Sequence, residues 1–395
     1  MAAPVYVVAG KATDSVTHGF LPAAARLGLK TILLTDRPSA HTPRNGPASS
    51  ERPTPHTFQN SSIVECNVSD FRDIIARVTE TPGGIFSNSD FLQAPTALAA
   101  AYFGLPGKGW QAATRTKNKA LMRRHLAALD PVFSADAFAV SADAPFPLVL
   151  KPREGVASED VFLVRDIREL IARREEIAVR RGDPLVAEEY LPGALHTLET
   201  LGDGRELRVL GSFRTRLSPP PFFVEERLEW APPPPETPQV LAQLDALGVG
   251  FGACHTEFVV HQGRARIIEV NYRLIGDHCD FLLADLLGVP LFEHILRIHL
   301  GERLEPDVPR PRGHAVAEPI IADRPGTLTV APGAFETNDG AVRLAYRPQR
   351  RVGDVIAVTG TNRDYLGTVR AIGPDADQVE SALVRFRDAH TWTIA

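Results

Sequence analysis

The chain has 395 residues, which suits two or three domains, and its hydrophobic fraction of 44% allows sizeable cores. A formal net charge of −5 argues against nucleic-acid and anionic-membrane partners, which need clustered positive charge. Three cysteines without metal or disulfide spacing fit a reducing compartment, so a cytoplasmic location is expected. Neither a signal peptide nor a membrane-spanning helix is predicted, because the chain lacks a basic start and any run of about 18 apolar residues.

The first elements in the chain predict a doubly wound α/β domain. Val5–Ala9 and Thr31–Thr35 are short apolar runs typical of buried strands, and the segment 20–29 between them is predicted as a helix. Strand, helix and strand at this spacing indicate a parallel sheet. A polar, Pro-rich loop is predicted over 41–55, and this domain is expected to span 1–111.

The middle of the chain predicts a small α+β unit followed by a C-terminal module. In chain order, the patterns indicate a helix at 117–128, strands at 146–152 and 161–164, a helix at 167–180 and a strand at 185–191. The block at about 140–192 is expected to form a lid subdomain inside a domain spanning 112–304. Short strands and turns ending in a helix predict an α+β module at 305–395.

A hairpin is predicted at 251–272. Its second strand overlaps the segment Ile267–Arg273, in which apolar and polar residues alternate. Because side chains alternate faces along a strand, the apolar set is expected to face a core and the polar set to share the other face. The core set is Ile268, Val270 and Tyr272, and the polar set is Glu269, Asn271 and Arg273. On the preceding strand, His255 and Glu257 share a face.

The register of this hairpin decides whether its two glutamates meet. A three-residue loop over 262–264 places Glu257 opposite Glu269, whereas a two-residue loop would place Ile268 opposite Glu257 and bury a charge among apolar groups. The three-residue loop is therefore predicted. Facing carboxylates repel unless a cation lies between them, and these two with the carbonyl oxygen of Asn271 suit Mg²⁺. A salt-bridged surface hairpin without a metal is the alternative.

Several residues nearby could handle phosphates and acyl groups. Lys151 ends a strand just before the loop 153–158, where a lysine can neutralise phosphates while backbone amides cradle them. Lys117 and Lys119 lie on the preceding predicted helix, and each of these lysines, taken alone, could equally be solvated. Arg273 offers a planar fork of donors for an anionic intermediate.

The order of these pieces resembles the ATP-grasp superfamily over about residues 112–290. The motifs His255–Glu257 and Glu269–Asp277 look most like the amino-acid ligase branch, which makes dipeptides, and the start at 10–22 looks closer to ATP-grasp synthetases of siderophore clusters. The resemblance implies an ATP-binding set, metal ligands and a catalytic arginine. The ATP-binding set is Lys119, Lys151, Ser158, Glu188, Glu189, Tyr190, Leu191 and His196, with Glu188–Leu191 as the adenine hinge; the metal ligands are Glu257, Glu269 and Asn271; the catalytic residue is Arg273.

Substrate contacts are expected from His255, Arg216 and Gly276. His255 is either the base for the amine or a packed neighbour of the site, and Arg216 with Arg214 either holds substrate carboxylates or forms a surface pair. The phosphate loop holds one glycine, Gly155, where family members usually have several, so it is expected to be stiffer or to order on nucleotide binding. Ile275 replaces a family glycine near the place of the acceptor.

The resemblance implies a mixed α/β and α+β architecture: an ATP-grasp fold with an N-terminal Rossmann-like domain, a lid subdomain and a C-terminal α+β module. It implies a ligase that uses ATP and Mg²⁺, with Mn²⁺ as a substitute, to join a small-molecule carboxylate to an amine through an acyl phosphate. Dipeptides or siderophore-type amides are the expected products, and a homodimer is the expected assembly. An ATP-grasp kinase and a non-catalytic nucleotide-binding regulator are the alternatives; a nicotinamide-dependent oxidoreductase is disfavoured, because G-x-G-x-x-G does not follow the first strand.

Overall fold

The computed structural model of the protein describes residues 3–42, 61–307 and 310–395. Its N-terminal domain holds a parallel sheet of four short strands: β1 (Val5–Val8), β2 (Thr31–Thr35), β3 (Ser61–Glu65) and β4 (Gly84–Phe86), in the order β3-β2-β1-β4. Four helices accompany them: α1 (Leu21–Arg26), α2 (Pro38–His41), α3 (Phe71–Arg77) and α4 (Gln93–Tyr102). Every residue of β1 is buried, as expected for a parallel strand covered on both faces.

The predicted N-terminal elements are present with small shifts. The strands expected at 5–9 and 31–35 are confirmed, and the helix expected at 20–29 begins earlier, in a π-helical turn at Ser15–Phe20 that continues into α1. From residue 43 onwards, the loop predicted over 41–55 lies outside the described residues.

The lid consists of an antiparallel sheet and one long helix. Two helices, α5 (Trp110–Lys117) and α6 (Lys119–Leu126), lead into it, and its own elements are β5 (Ser134–Asp136), β6 (Leu148–Pro152), β7 (Phe162–Val164), α7 (Ile167–Arg180) and β8 (Leu185–Glu189), with the sheet order β5-β8-β6-β7. Leu170 and Ile177 of α7 join the core of this sheet at helical spacing. The first strand precedes the boundary predicted at about 140.

Asn118 separates α5 from α6. Its side chain accepts from the backbone N–H of Leu121 and caps α6, since short polar side chains satisfy the free amides of a helix start. The helix predicted at 117–128 is therefore α6, which begins at Lys119, and Lys117 instead ends the separate helix α5.

The largest sheet joins the middle of the chain to its C-terminal part. Its nine strands are all antiparallel to their neighbours, and the strand at 225–231 pairs with the strand at 314–321, so the segment after residue 305 completes this sheet. They are β9 (Ala194–Asp203), β10 (Leu207–Leu217), β11 (Glu225–Ala231), β12 (Phe251–His261), β13 (Arg264–Asn271), β14 (His314–Ile321), β16 (Phe335–Asp339), β17 (Val342–Pro348) and β19 (Tyr365–Gly373), in the order β13-β12-β9-β10-β11-β14-β19-β17-β16.

Helices cover this sheet and dock it against the N-terminal domain. They are α8 (Thr237–Leu247), α9 (Cys279–Leu287), α10 (Leu291–His299) and α11 (Ala376–Ala389), and a small sheet is formed by β15 (Gly326–Val330), β18 (Val355–Ile356) and β20 (Thr393–Ile394). Phe20 of the N-terminal domain packs edge-on against Phe292 of α10, with ring centroids 5.0 Å apart. Among the described helices, none is long and apolar enough to cross a membrane.

The β12–β13 hairpin reaches the predicted pairing by a different route. Its turn has two residues, Gln262 and Gly263, both at positive φ, so the predicted three-residue loop is wrong. A β-bulge at Ile268 then shifts the register by one residue, and Glu257 lies opposite Glu269 as predicted. The bulge also changes the faces: Ile267 is fully buried in the core, and Ile268, expected in the core, lines a cavity instead.

Candidate active site

A cavity of about 870 Å³ lies where the N-terminal domain, the lid and the nine-stranded sheet meet. The parallel strands contribute residues from their carboxyl ends, including Gly10, Asp36 and Asn88, which is where open α/β sheets bind ligands. The predicted site residues other than His196 and Arg216 all line this cavity. Residues scattered over more than 150 positions in sequence are therefore brought to one place.

The predicted metal ligands lie together on one wall. Glu257 and Glu269 face each other across the hairpin, and Asn271 follows on the same face. In the amide orientation that suits its surroundings, Asn271 donates its N–H groups to both oxygens of Asp90 at 3.3 Å, so its carbonyl oxygen is turned away from that carboxylate. Asp90 is in turn paired with Lys117.

Both predicted phosphate lysines are buried and paired with carboxylates. Lys119 Nζ lies 2.8 Å from Glu269 Oε1, and Lys151 Nζ lies 2.7 Å from Glu188 Oε2. Arg123 Nη2 also donates to Glu188, at 3.1 Å. Each lysine is therefore held in place by a carboxylate partner rather than solvated.

These pairs control the charge state of the carboxylates. Burial would raise the pKa of Glu188, but Arg123 and Lys151 lower it to about 2. Burial would likewise raise the pKa of Glu269, but Lys119 outweighs it, so that pKa is lowered. Both carboxylates are therefore ionised at neutral pH.

His255 is buried between two carboxylates. Its Nδ1 lies 2.7 Å from Glu199 Oε1 and its Nε2 lies 3.5 Å from Glu257 Oε1. Burial lowers the pKa of this imidazole, but the carboxylates of Glu199 and Glu257 raise it by more, and the pKa is about 10. Because both ring nitrogens face carboxylate oxygens, the geometry favours the packed neighbour over the base.

The residues present fit Mg²⁺ and a nucleotide. The described residues hold no cluster of three His, Cys, Asp or Glu that could cage a metal, so a cation here would share two carboxylates and an amide with substrate oxygens and water. Mg²⁺ is usually bound in this way. Among the described side chains, Arg123 Nε and Nη1 and Glu188 Oε1 are buried without a hydrogen-bond partner, which suits a polar ligand in the cavity.

The predicted phosphate loop adopts a conformation that usually requires glycine. Ala157, Ser158 and Asp160 all have φ between 54° and 57°, in the left-handed region that costs non-glycine residues energy. Contacts from outside the lid hold the loop. They are Ser158 Oγ to the Phe223 carbonyl at 2.8 Å, Asn362 N to the Ala157 carbonyl at 3.1 Å, Arg363 to Glu159 at 2.5 Å and Lys117 Nζ to the Gly155 carbonyl at 3.2 Å.

The predicted adenine hinge, 188–191, begins in strand β8 of the lid sheet and lines the cavity. The Tyr190 N–H already donates to the Pro147 carbonyl at 3.1 Å, so an adenine edge would use neighbouring groups such as those of Leu191. Glu189 is partly exposed and pairs with Arg266 at 3.4 Å, in contrast to buried Glu188. The two adjacent glutamates therefore have different environments.

His196 and Arg216 lie away from the cavity lining. On β9 the neighbour Thr197 lines the cavity, and His196 points to the other face, where its ring stacks on Phe258 at 5.7 Å. Arg216 is exposed and pairs with Glu226 at 3.3 Å. The structure gives neither residue a contact with the other predicted site residues.

The lining residues that were missed from the sequence include four with ionisable side chains: Arg123, Asp90, Glu225 and Arg363. Arg123 follows Lys119 by one helical turn, so its i, i+4 spacing was a usable signal. Asp90, Glu225 and Arg363 reach the cavity through tertiary structure, for which the sequence carries no local signal. Burial and the nearby carboxylate of Glu257 raise the pKa of Glu225 to about 8.

Comparison with known proteins places this geometry in context. No family model matches the chain. The chain aligns over 337 residues, at 30% identity, with the uncharacterized protein y4rH of Sinorhizobium fredii, and the alignment covers 79% of this chain and 68% of that protein.

Solved structures share the whole architecture. The L-amino acid ligase from Bacillus licheniformis superposes with a TM-score of 0.79 at 20% identity, covering 100% of this chain and 99% of that one. Phosphoribosylglycinamide synthetase from Anaerococcus prevotii gives a TM-score of 0.71 at 14% identity, covering 100% of both chains. A biotin carboxylase–β-γ-ATP complex from Campylobacter jejuni gives 0.70 at 16% identity, covering 100% and 92%. The predicted fold class and the resemblance to ATP-grasp proteins are confirmed.

Proposed function

The chain belongs to the same family as protein y4rH of Sinorhizobium fredii and has the ATP-grasp fold, and from this premise we propose that it is an ATP- and Mg²⁺-dependent ligase joining a carboxylate to an amine. The observation that carries the proposal is the facing pair Glu257 and Glu269 with Lys119 bonded to Glu269. Two carboxylates and a buried lysine at one point suit a metal-bound polyphosphate better than any apolar ligand.

Binding of the nucleotide would fall to the lid and the helix α6. Lys119 and Lys151 would contact phosphate oxygens, and the loop around Ser158 would cover them. Glu257, Glu269 and the carbonyl oxygen of Asn271 would hold Mg²⁺, which would supply neutralisation of the phosphate charge. Arg123, with two buried nitrogens unpaired among the described residues, is a further candidate for a polar contact to the nucleotide.

The proposed reaction has two steps. A carboxylate oxygen of the first substrate attacks the γ-phosphorus, the bond from γ-phosphorus to the bridging oxygen breaks, and ADP leaves with an acyl phosphate formed. The amine nitrogen of the second substrate then attacks the acyl carbon, the carbon–oxygen bond to phosphate breaks, and phosphate departs while the nitrogen releases a proton. Arg273, on the wall beside the metal ligands, would stabilise the developing negative charge through its donors.

The lid would keep water from the acyl phosphate. Its loop is already fixed over the cavity by Ser158 and by Asn362, so closure does not depend on many glycines. His255, held between carboxylates, would position Glu257 rather than accept the proton of the amine. We propose a dipeptide or a siderophore-type amide as the product.

The test is ADP release measured against pairs drawn from amino acids, citrate, other di- and tricarboxylates, and diamines. We expect release only when a carboxylate and an amine are both present, with Mg²⁺ or Mn²⁺, and an amide in the mass spectrum. Glu269→Gln should lower the rate roughly a hundredfold. A phosphorylated carboxylate as the end product would make the protein a kinase, and nucleotide binding without any turnover would make it a regulator.

Location and assembly are proposed on separate grounds. All three cysteines are buried free thiols, which is in keeping with the proposed cytoplasmic location. The homodimer implied by the resemblance stays a prediction, which sedimentation equilibrium would test.

A further inference from the structure

A buried lysine outside the cavity lining lies behind the β12–β13 hairpin. Lys108, in the loop between α4 and α5, is 8% exposed and donates to three oxygens: Gln93 Oε1 at 2.9 Å, the Ala253 carbonyl at 3.2 Å and the Tyr272 carbonyl. Three acceptors use all three N–H donors of the protonated side chain, although burial lowers the pKa of Lys108 to about 7. Lys108 thus has a complete set of protein partners and none is left for a ligand.

Its partners come from separate parts of the fold. Gln93 belongs to α4 of the N-terminal domain, Ala253 to β12, and Tyr272 to the residue that follows β13. Gln93 also donates to the carbonyls of Ser87 and Ser89, at 3.0 and 2.8 Å, on the loop after β4. One ammonium group therefore links the N-terminal sheet to both strands of the hairpin.

The linked carbonyl lies between two site residues. Tyr272 stands between Asn271 and Arg273, just beyond the last β12–β13 pair, His255 with Asn271, where the strand ladder no longer fixes the backbone. The Tyr272 ring lies 4.3 Å from the Lys108 ammonium, and its hydroxyl accepts from the N–H groups of residues 250 and 251. The position of this residue is therefore fixed at its backbone and at its side chain.

The same segment has a second link to the N-terminal domain. The Leu274 N–H donates to Asn88 Oδ1 at 3.1 Å, one residue after Arg273. Arg273 itself has few fixed contacts in its own segment: its N–H bonds to the Asn271 carbonyl and its Nη1 to the Leu274 carbonyl. Its placement therefore depends on the residues on either side of it.

We propose that Lys108 is a positioning residue for the reaction: by binding the Tyr272 and Ala253 carbonyls from the N-terminal domain, it sets where Asn271 and Arg273 present their side chains to the substrate. This inference rests on the proposed function. Lys108 touches no substrate, so its loss lowers the rate of the chemical step and leaves the affinity for metal-free ADP nearly intact. A displacement of about 1 Å at a reacting group can cost roughly a hundredfold in rate.

The test compares Lys108→Met with His299→Phe as a matched control. His299 is 4% exposed in the same pocket, its ring lies edge-on to Phe86 and Phe251, and neither ring nitrogen bonds to any described residue. A Cβ on Gly252 would meet both Lys108 and His299, so the two side chains are neighbours. His299→Phe alters packing there without removing a hydrogen bond.

Four quantities are measured for each variant: kcat and KM for ATP in ADP release, the Kd of ADP without Mg²⁺ by calorimetry, and amide hydrogen exchange in peptides covering 250–256 and 270–276. For Lys108→Met we expect kcat to fall roughly 10- to 100-fold, a Kd within threefold of wild type, and faster exchange in both peptides. For His299→Phe we expect kcat within threefold and unchanged exchange in the 270–276 peptide.

Equal losses of kcat in both variants, a weakened Kd with kcat unchanged, or unchanged exchange in Lys108→Met would each overturn the proposal. If Lys108→Met does not fold, Lys108→Gln decides: its amide stays polar but its side chain is one bond shorter, so the bonds to the Ala253 and Tyr272 carbonyls are lost, a kcat fall supports the proposal and a wild-type kcat overturns it. If the wild-type protein releases ADP with no substrate pair, the proposed function fails, and the exchange comparison still decides whether Lys108 fixes the hairpin.

Discussion

Replacing Glu188 by glutamine should destabilise the protein by about 3 kcal/mol at pH 7. Glu188 is 1% exposed and bonded to Lys151 and Arg123, so the substitution leaves two buried cations without their counter-charge. Burial would raise the pKa of Glu188, but the two cations lower it from 4.5 to about 2. The difference, 4.5 minus about 2, is roughly 2.5 pKa units, which at 1.36 kcal/mol each is about 3 kcal/mol.

The pH dependence has a definite sign. Because the pKa of Glu188 is lower in the folded protein than in the unfolded chain, its stabilisation is fully present above pH 4.5 and is lost as the pH falls towards 2. Glutamine does not titrate. The difference in unfolding free energy between wild type and Glu188→Gln should therefore shrink from about 3 kcal/mol at pH 7 to about 2 kcal/mol at pH 3.5.

Urea unfolding followed by circular dichroism at several pH values measures this difference. Glu189→Gln is the matched control, because that neighbour has a side chain 35% exposed and pairs with Arg266 at 3.4 Å, and such pairs contribute under about 1 kcal/mol. A Glu188→Gln variant within about 1 kcal/mol of wild type at pH 7, or a loss that grows as the pH falls, would refute the reasoning.

Three further outcomes follow from the site. Glu257→Gln should slow ADP release about a hundredfold. It should also weaken Mn²⁺ binding in the presence of ADP, measured by water-proton relaxation, and an unchanged Mn²⁺ affinity would show that Glu257 is not a metal ligand. Arg273→Lys should lower kcat about a hundredfold with the Kd of Mg·ADP unchanged, because a lysine lacks the planar fork, and a calorimetric loss of ADP affinity would contradict this. Ala157→Val should raise KM for ATP about tenfold, since a branched side chain resists positive φ, whereas Ala157→Gly should not raise it; equal values would show that the loop conformation is unimportant.

Local patterns predicted the parts of the fold that depend on local sequence. The apolar runs of β1 and β2 and the amphipathic helix α7 carry their own signals, so the parallel sheet and the lid could be predicted before any contact was known. A predicted helix boundary differed from the observed one where a single residue caps the helix, as Asn118 caps the N-terminus of α6. Asparagine at a helix start is a known signal, but inside a long polar pattern it does not stand out.

The hairpin shows why a correct pairing can follow from a wrong turn. The predicted loop was one residue too long, and the bulge at Ile268, which has no sequence signature, adds one residue later in the strand, so the two differences cancel at Glu257 and Glu269. Between the turn and the bulge they do not cancel, and His261 pairs with Arg264 rather than with Ala265. The charge argument constrained only the far end of the strand.

Contacts between distant segments could not be predicted. Arg123 meets Glu188 and Lys108 meets Tyr272 across separations of 65 and 164 residues, and both depend on how whole domains pack. The exclusion of His196 from the cavity is of another kind. Its neighbour Thr197 points into the cavity, so His196 points to the opposite face of β9. The sequence shows that side chains alternate along β9, but it does not show which of the two sets faces the cavity.

The ion pair between Lys119 and Glu269 has a consequence for how ligands arrive. The proposed phosphate-binding lysine and the proposed metal-binding glutamate neutralise each other. A free nucleotide that captured Lys119 would leave a bare carboxylate beside its phosphates, and a free metal ion that captured Glu269 would leave a buried ammonium without that partner. Only the metal–nucleotide complex satisfies both groups at once. Metal and nucleotide should therefore each tighten the binding of the other, and by linkage the two enhancements must be equal.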